Sequence, residues 1–205
     1  FMIAANETVA THIYNMDLPF IYRVHDVPNA DKIDKFLKLV SLLGYKVNGK
    51  VKDLTPVSMQ KLLNQLKDVP QYKILSSMLL RSMRKAIYQK DNIGHFGLGS
   101  KCYTHFTSPI RRYPDLEVHR LLRKYLYENK IDNETIDYYN ANLDYIAGQA
   151  SEREQASVDA EREVDDMKMA EYMEKHIGEE FDGVISGVES FGLFVELDNL
   201  IEGLV

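Results

Sequence analysis

The feature that most constrains the fold of this chain is a stretch of about forty residues, 134–176, that contains no proline and one glycine, Gly148. An unbroken α-helix of this length spans roughly 60 Å at 1.5 Å per residue. Small and apolar residues follow helical spacing within it: Leu143, Ile146, Ala150, Ser157, Ala160, Val164 and Met167. We therefore expect one long helix with a buried stripe that another element approaches closely.

The segments before and after this helix follow different patterns. Before it, apolar periodicity and capping residues predict helices at 2–14, 31–43, 55–66 and 72–86, and a short strand at 20–24. After Gly178, three segments with strand character follow at 181–188, 191–197 and 201–205. The predicted class is α+β, with a larger domain over 1–177 and the start of a smaller one over 178–205.

Groups that bind or transfer charge are concentrated between residues 92 and 120. This stretch holds three of the six histidines, the only cysteine, four Arg or Lys and two prolines. Alternation over 101–107 predicts a short strand, with Tyr103 and His105 on one side of it. A helix is expected to begin either at Ser108, which precedes a proline, or at Pro114. In both cases Arg111 and Arg112 stand at the entrance of a helix, where free amides and guanidinium groups together favour a phosphate.

The distribution of charge restricts how such a chain meets a polyanion. Its net charge of −6 argues against indiscriminate binding to nucleic acid. Between residues 111 and 130, however, six Arg or Lys stand against three acids, whereas acids outnumber bases eleven to four over 151–180. Contact with nucleic acid is therefore expected from a local basic patch beside the phosphate-suited helix entrance.

A metal site is an alternative reading of the same stretch. Asp115 and His119 lie one helical turn apart, and His95 or His105 could supply a third ligand for a metal-dependent hydrolase. No tight ligand motif such as HExxH occurs, and Asp115 can equally cap the helix or pair with an arginine. A third reading treats the arginines as ordinary surface charges.

Several segments resemble one known family. HFGL at 95–98 and YTHFTSPIRRYPDLEVHR at 103–120 closely resemble the signature of the RNase II/RNase R family of processive exoribonucleases. FMIAANETVA at 1–10, PFIYRVHD at 19–26, LRSM at 80–83 and EREVDD at 161–166 resemble further family segments in family order, nearest to the bacterial RNase R branch. The resemblance covers essentially the whole chain and implies hydrolysis of single-stranded RNA from its 3′ end to nucleoside monophosphates.

The resemblance also implies roles for individual residues. Arg111 is expected to stabilise charge on the scissile phosphate, and Glu161 to be an active-centre acid. From its spacing alone, Glu161 is expected to border the predicted buried stripe. There its carboxylate could instead form a structural ion pair with an arginine. The remaining expected RNA contacts of this part of the chain are Tyr103, His105, Thr107, Ser108, Arg112, Tyr113, His119 and Arg120. Without the resemblance, Asn6 is expected to be a surface amide of its helix. The resemblance places that helix along the catalytic channel.

The family's magnesium ions are held by aspartates that would precede residue 1. No equivalent aspartate cluster precedes residues 92–120, so we expect no metal ligands in this chain. The chain also opens inside an apolar, helix-like segment without a cap, which suggests a piece of a larger protein. We therefore expect an RNase fragment that is inactive alone, or else a non-catalytic RNA-binding module.

The C-terminal strands resemble the first three strands of an S-one type RNA-binding OB barrel. Phe191 and Phe194 match its base-stacking platform, although aromatic residues in strands are more often core. The chain ends at Val205, before such a barrel could close.

The single cysteine excludes an internal disulfide and suits a reducing compartment. No apolar run reaches transmembrane length. We expect a cytoplasmic monomer whose partner is single-stranded RNA.

Overall fold

The computed structural model describes residues 1–45, 55–69 and 71–205, without the side chain of Lys73. Its helices are α1 Met2–Asn15, α2 Ala30–Leu42, α3 Pro56–Leu66, α4 Tyr72–Ser82, α5 Tyr113–Leu122 and α6 Asn133–Glu174. Its strands are β1 Tyr22–Val24, β2 Ile87–Gln89, β3 Gly183–Glu189, β4 Gly192–Leu197 and β5 Glu202–Leu204. A 3₁₀ turn at Phe96–Leu98 and a π-helical turn at Arg123–Tyr127 complete the order. The chain divides into two compact units, Phe1–Arg153 and Glu154–Val205.

Local capping chemistry explains where the helices of the first unit begin and end. Thr55 and Ser58 form a capping box ahead of Pro56, which needs no hydrogen-bond partner at the start of α3. Asn29 caps α2 by accepting the amide of Lys32 at 3.1 Å. The chain leaves α2 through Gly44, whose φ of +86° lies in the left-handed region that glycine adopts without steric cost. The predicted helices at 2–14, 31–43 and 55–66 are thereby confirmed to within one or two residues.

The first unit contains two separate hydrophobic cores. One joins α1, β1, β2, α5 and the beginning of α6 around Ile13, Phe20, Val118, Leu121 and Leu143. The other lies among α2, α3 and α4 and buries Ile33, Phe36, Leu62, Leu66 and Leu79. Each fully buried side chain of this size contributes roughly 1.5–3 kcal/mol relative to an exposed one.

The predicted strand at 101–107 is wrong. β1 pairs antiparallel with β2, Arg23 opposite Tyr88. The 101–107 segment runs beside β1 as extended chain, held there by the amide of Arg23, which donates to the Tyr103 carbonyl at 2.9 Å, and by the Thr104 hydroxyl, which donates to the Ile21 carbonyl at 2.7 Å. Cys102, Tyr103 and Thr104 are all buried instead of alternating, because both faces of the segment are covered.

The helix in the 92–120 stretch begins near Pro114, the second of the two starting points expected from the sequence. α5 starts at Tyr113, with Pro114 in its first turn, and the preceding residues 109–111 form a turn. Helix 72–86 is also shorter than predicted, since α4 ends at Ser82 and the following residues lead into β2.

The long helix is confirmed, but most of its predicted stripe is wrong. α6 covers 42 residues, and Leu143 and Ala150 are buried in it as expected. Ser157 and Ala160 are exposed, and the exposed fractions of Val164 and Met167 are 53% and 56%. Helical spacing identifies which residues share a face; whether that face is covered depends on the packing of other elements.

The second unit ends in a three-stranded antiparallel sheet in the order β3-β4-β5. Phe194 lies opposite Leu204, and the register of β3 shifts between Ile185 and Gly187. The three predicted strands are present, and their assignment to an OB barrel stays a prediction. No described helix is long and apolar enough to cross a bilayer.

Candidate nucleic-acid site

Arg111 lies at the exposed end of a short turn directly before α5. The carbonyl of Ser108 accepts the amides of Arg111 and Arg112 at 3.3 and 3.1 Å and closes this turn. Among the described residues, the guanidinium of Arg111 has no hydrogen-bond or ion-pair partner, and neighbouring Ile110 is fully exposed. Arg112 occupies the N-cap position without a side-chain cap, so the helix entrance keeps donors free for an anion. This arrangement is able to receive a phosphate.

Arg112 points inward. Its Nη2 donates to Oδ2 of Asp115 at 2.8 Å, and the amide of Ser108 donates to the same oxygen at 2.7 Å. Asp115 is fully buried. The two adjacent arginines therefore have different roles: Arg112 helps hold the turn together, and Arg111 is free to contact a ligand.

Tyr103 and His105 belong to a row of rings beside this turn. The rings of Tyr103 and His105 meet edge to face at 5.7 Å, and the Tyr88 hydroxyl lies 2.8 Å from Nδ1 of His105. Burial, with the charges of Arg112 and Arg23, lowers the pKa of His105 to about 4. The ring is neutral at pH 7, so one of its two nitrogens is a hydrogen-bond donor and the other an acceptor.

The row of rings continues to His95 and His25, whose side chains form hydrogen bonds with nearby backbone groups. Nδ1 of His25 accepts the amide of Gly97 at 2.8 Å, and its Nε2 donates to the carbonyl of Arg84 at 2.7 Å. A Cβ on Gly97 would lie 2.6 Å from Nδ1 of His25, so this close approach requires glycine. Burial, followed by the effects of His25 and Arg23, lowers the pKa of His95 to about 4. Nδ1 of His95 accepts the amide of Leu98.

His119 and Arg120 also have protein partners. The His119 ring stacks on Phe106 at 4.4 Å, and its Nε2 donates to the Phe106 carbonyl at 2.9 Å. Arg120 donates to the largely buried Glu117 at 3.1 Å and lies over the ring of Tyr113 at 5.8 Å. Tyr113 itself is half exposed beside the turn. Thr107 and Ser108 are partly exposed on the chain that leads into the turn.

Asn6 lies inside the protein, although its sequence context alone predicted a surface amide. It is buried, its amide nitrogen donates to the Tyr103 hydroxyl at 2.9 Å, and its oxygen accepts the Phe106 amide at 3.1 Å. A single amide in a helix carries no signal of burial, because the partners of Asn6 lie about one hundred residues away. The resemblance of the 1–10 segment was the only indication.

Three predicted site residues lie in the second unit. Glu161 is exposed, so the expectation that it borders a buried stripe is wrong, and among the described residues its carboxylate has no ion-pair partner. Phe191 is 69% exposed and Phe194 is partly buried. Their rings are 6.2 Å apart and nearly perpendicular.

The metal-site alternative finds no support in the geometry. Throughout the described ranges, no group of three or more His, Cys, Asp or Glu side chains is placed to hold a metal ion. His95, His105, Asp115 and His119 are each bound to protein groups instead of converging on one point.

Comparison with known proteins identifies the family of this chain. The RNB domain family matches residues 1–128. Ribonuclease R 1 of Lactococcus lactis subsp. lactis is 48% identical over 205 residues, which are 100% of this chain and 25% of that protein. The structure of Mycoplasma genitalium RNase R in complex with ribose-methylated single-stranded RNA matches with a TM-score of 0.92 at 37% identity, covering 99% of this chain and 32% of that one. Yeast Ssd1, a pseudonuclease, is more distant, with a TM-score of 0.68 at 25% identity over 100% of this chain and 26% of that one.

The chain belongs to the RNB domain family, whose model matches more than half of it. Within that family its high-coverage relatives carry the name ribonuclease R. The chain spans about a quarter of the length of the Lactococcus relative and about a third of the Mycoplasma structure.

Proposed function

We propose that this chain is part of a processive 3′-to-5′ exoribonuclease that hydrolyses single-stranded RNA to nucleoside monophosphates. The observation that carries the proposal is the free, exposed guanidinium of Arg111, on a turn that buried Asp115 holds, in a chain of the RNB domain family. A guanidinium can donate two parallel hydrogen bonds to phosphate oxygens. No other cation of the 108–120 segment combines exposure with the lack of a protein partner among the described residues.

Arg111 acts on the scissile phosphate in this proposal. Negative charge on the phosphoryl oxygens grows toward the transition state, so a fixed donor stabilises that state more than the ground state. The turn that holds Arg111 is already formed in the free chain, and therefore little reorganisation is needed when RNA arrives. The remaining chemistry requires a divalent metal ion, magnesium in this proposal, whose ligands are supplied by residues other than those described here.

The other proposed contacts guide the RNA strand. His105 and the exposed ring of Tyr113 contact the strand in this proposal, together with Tyr103, Thr107 and Ser108. Arg112, His119 and Arg120 keep this surface in place through their protein partners. Glu161 is proposed as an active-centre acid, and Phe191 and Phe194 as a stacking platform in an S-one type domain that begins at residue 178, after an RNB portion over 1–177. We further propose a cytoplasmic monomer.

The proposal is tested on the full-length protein that contains this chain. Single-stranded RNA labelled at its 5′ end is incubated with the enzyme and magnesium, and the products are resolved by length. A processive enzyme of this direction yields a short labelled end product and unlabelled nucleoside monophosphates, with few intermediates. Release of the labelled 5′ nucleotide first would contradict the direction, and an evenly shortening ladder would contradict processivity.

A non-catalytic RNA-binding protein is the second candidate, and the likeness to yeast Ssd1, a pseudonuclease, favours it. The same incubation separates the two candidates. RNA that is bound but not shortened, at protein concentrations above those that saturate binding, supports the second candidate and rejects the first.

A further inference from the structure

Asp115 is a buried carboxylate that the proposed chemistry does not use. It lies in the first turn of α5 and is fully buried, which is costly for a charged group unless other groups satisfy it. Its Oδ2 receives both the amide of Ser108, at 2.7 Å, and Nη2 of Arg112, at 2.8 Å. These two donors come from opposite ends of the 108–112 segment, and Arg111 lies between them. One oxygen atom thus fixes both ends of the turn that carries Arg111.

The chain entering this turn is held from a second direction. The Phe106 amide donates to Asn6 of α1 at 3.1 Å, and the Phe106 carbonyl accepts Nε2–H of His119 at 2.9 Å. Residues 106–112 are therefore fastened by side chains of α1 and α5 although they form no helix or strand themselves. Of the three side chains that hold this segment by hydrogen bonds, only Asp115 binds residues on both sides of Arg111.

We propose that Asp115 is a positioning residue: its buried carboxylate holds the 108–112 turn in the conformation that presents the Arg111 guanidinium to a phosphate of the RNA. This inference rests on the proposed function for the identity of the ligand. Asp115 contacts the backbone and Arg112, and it acts on the reaction only through Arg111. Without it, the backbone of the turn gains alternative conformations, and Arg111 loses the preorganisation that makes a fixed donor effective.

The convergence of two donors on one oxygen suggests a pair of variants. Asp115→Asn keeps an oxygen where both donors point and loses the charge, whereas Asp115→Ala removes the acceptor altogether. In the full-length enzyme we expect Asp115→Ala to lower kcat by about tenfold to hundredfold, which is at most the loss that removing one preorganised donor causes. Asp115→Asn should stay within about tenfold of wild type, because it keeps an acceptor for both donors, although its amide group takes the place of Oδ1, which is buried without a hydrogen-bond partner among the described residues.

A double-variant comparison shows whether Asp115 acts through Arg111. In an Arg111→Ala background, Asp115→Ala should lower kcat by less than about threefold further, since residues that act as a unit are not additive. A loss of the same size in both backgrounds would overturn the proposal and leave Asp115 a general stabilising residue. The control is Asp144→Asn, which changes an acid of α6 that pairs with Lys90 at 3.1 Å and lies outside the 106–120 segment. We expect its kcat within about threefold of wild type in either background.

Amide hydrogen exchange provides a readout that is independent of activity. In the 205-residue chain the Ser108 amide should exchange at least about tenfold more slowly than an unprotected amide, because it is bonded to a buried acceptor. Asp115→Ala should remove this protection and leave that of β1 and β2 in place. An unprotected Ser108 amide in the wild-type chain would overturn the proposal.

The exchange measurement also separates this proposal from the function it rests on. If Asp115→Ala does not fold, two other measurements decide the outcome: the exchange protection of the Ser108 amide in the wild-type chain, and the turnover of Asp115→Asn. An Asp115→Asn enzyme with less than about a tenth of wild-type turnover overturns the proposal. If the wild-type full-length protein shortens no RNA, the proposed function fails. The positioning role of Asp115 then stands or falls on the protection of Ser108 alone.

Discussion

Two adjacent arginines, identical in sequence terms, have opposite environments in this protein. Arg111 is exposed and has no partner among the described residues, whereas Arg112 is bound to buried Asp115. The sequence predicted that both stand at a helix entrance, and that is confirmed. It could not decide which of them is free, because the direction of a side chain in a turn depends on the backbone angles and on distant partners.

The difference predicts distinct effects of substitution in the full-length enzyme. Arg111→Ala should lower kcat by about 100-fold or more, with a much smaller loss of RNA affinity, because many other contacts hold the strand. Arg111→Lys should recover little of this loss, since an ammonium group cannot reproduce the two parallel bonds of a guanidinium. Single-turnover rates and equilibrium RNA binding, measured on the same variants, separate the two effects. Wild-type turnover at saturating RNA in a folded Arg111→Ala enzyme would remove Arg111 from the mechanism and direct attention to Arg112.

The neutral histidines predict a pH dependence of stability. The pKa values of His95 and His105 are lowered to about 4 from an ordinary value of 6.5, chiefly by burial. Between these values the unfolded chain binds more protons than the folded chain, so the free energy of unfolding should fall as the pH is lowered from about 6.5 to 4. Below 4 the folded histidines also become protonated, and this contribution stops changing.

Thermal melts of the 205-residue chain measure this effect. His105→Gln keeps a hydrogen-bonding group for the Tyr88 hydroxyl and removes one titrating group, so its Tm should fall less steeply over that pH range than the Tm of wild type. Carboxylates that titrate in the same range affect both proteins equally and cancel in the comparison. His12→Gln, an exposed position on α1, is the control. Parallel Tm curves for wild type and His105→Gln would show that His105 does not carry the predicted effect.

Elements that local chemistry defines were predicted well, and those that distant packing defines were not. The capping box at Thr55, Gly44 after α2 and the proline-free α6 are local signals, and each agrees with the structure. Residues 101–107 have the alternation of a strand, but they bond to β1 through single contacts that the sequence does not show. Burial of Asn6 depends on partners from another part of the chain in the same way.

The sheet of the second unit carries its own prediction. Phe191 is largely exposed and Phe194 partly buried, which suits a surface that stacks bases better than a sealed core. In the full-length protein, replacing both with Ala should weaken single-stranded RNA binding by about 1–3 kcal/mol per stacked base, with Tm nearly unchanged. Fluorescence anisotropy and thermal melts measure the two quantities.

Phe181→Ala is the matched control for that pair, because Phe181 is a half-exposed phenylalanine of the same unit that lies outside the strands. It should leave RNA affinity unchanged. A double variant that unfolds the sheet would assign Phe191 and Phe194 to its core, and one that binds RNA as tightly as wild type would end the platform proposal.

The charge distribution of the whole chain bears on the proposed binding of RNA. A net charge of −6 repels a polyanion at long range, and the basic residues of 111–130 provide the local attraction. Several of these cations are engaged within the protein, since Arg123, Lys124 and Lys130 all pair with Glu128. Binding by this chain should therefore rest on few phosphate contacts and have a shallow salt dependence.

The chain by itself should bind single-stranded RNA without cleaving it. Hydrolysis of a phosphodiester at neutral pH needs an activated water and charge neutralisation, which nucleases of this kind obtain from metal ions. Throughout the described ranges, no three metal-ligating side chains are grouped to hold one. We therefore expect no nucleotide release when the purified 205-residue chain is incubated with labelled RNA and magnesium, even at concentrations that saturate binding.

The Arg111→Ala chain, prepared in the same way, is the control for this incubation. Release that both preparations show identifies a contaminating nuclease, whereas release that the wild-type chain shows and Arg111→Ala lacks would contradict the prediction. The metal-hydrolase alternative makes the opposite forecast, a stoichiometric zinc or manganese ion that elemental analysis finds in the wild-type chain and that His119→Ala loses.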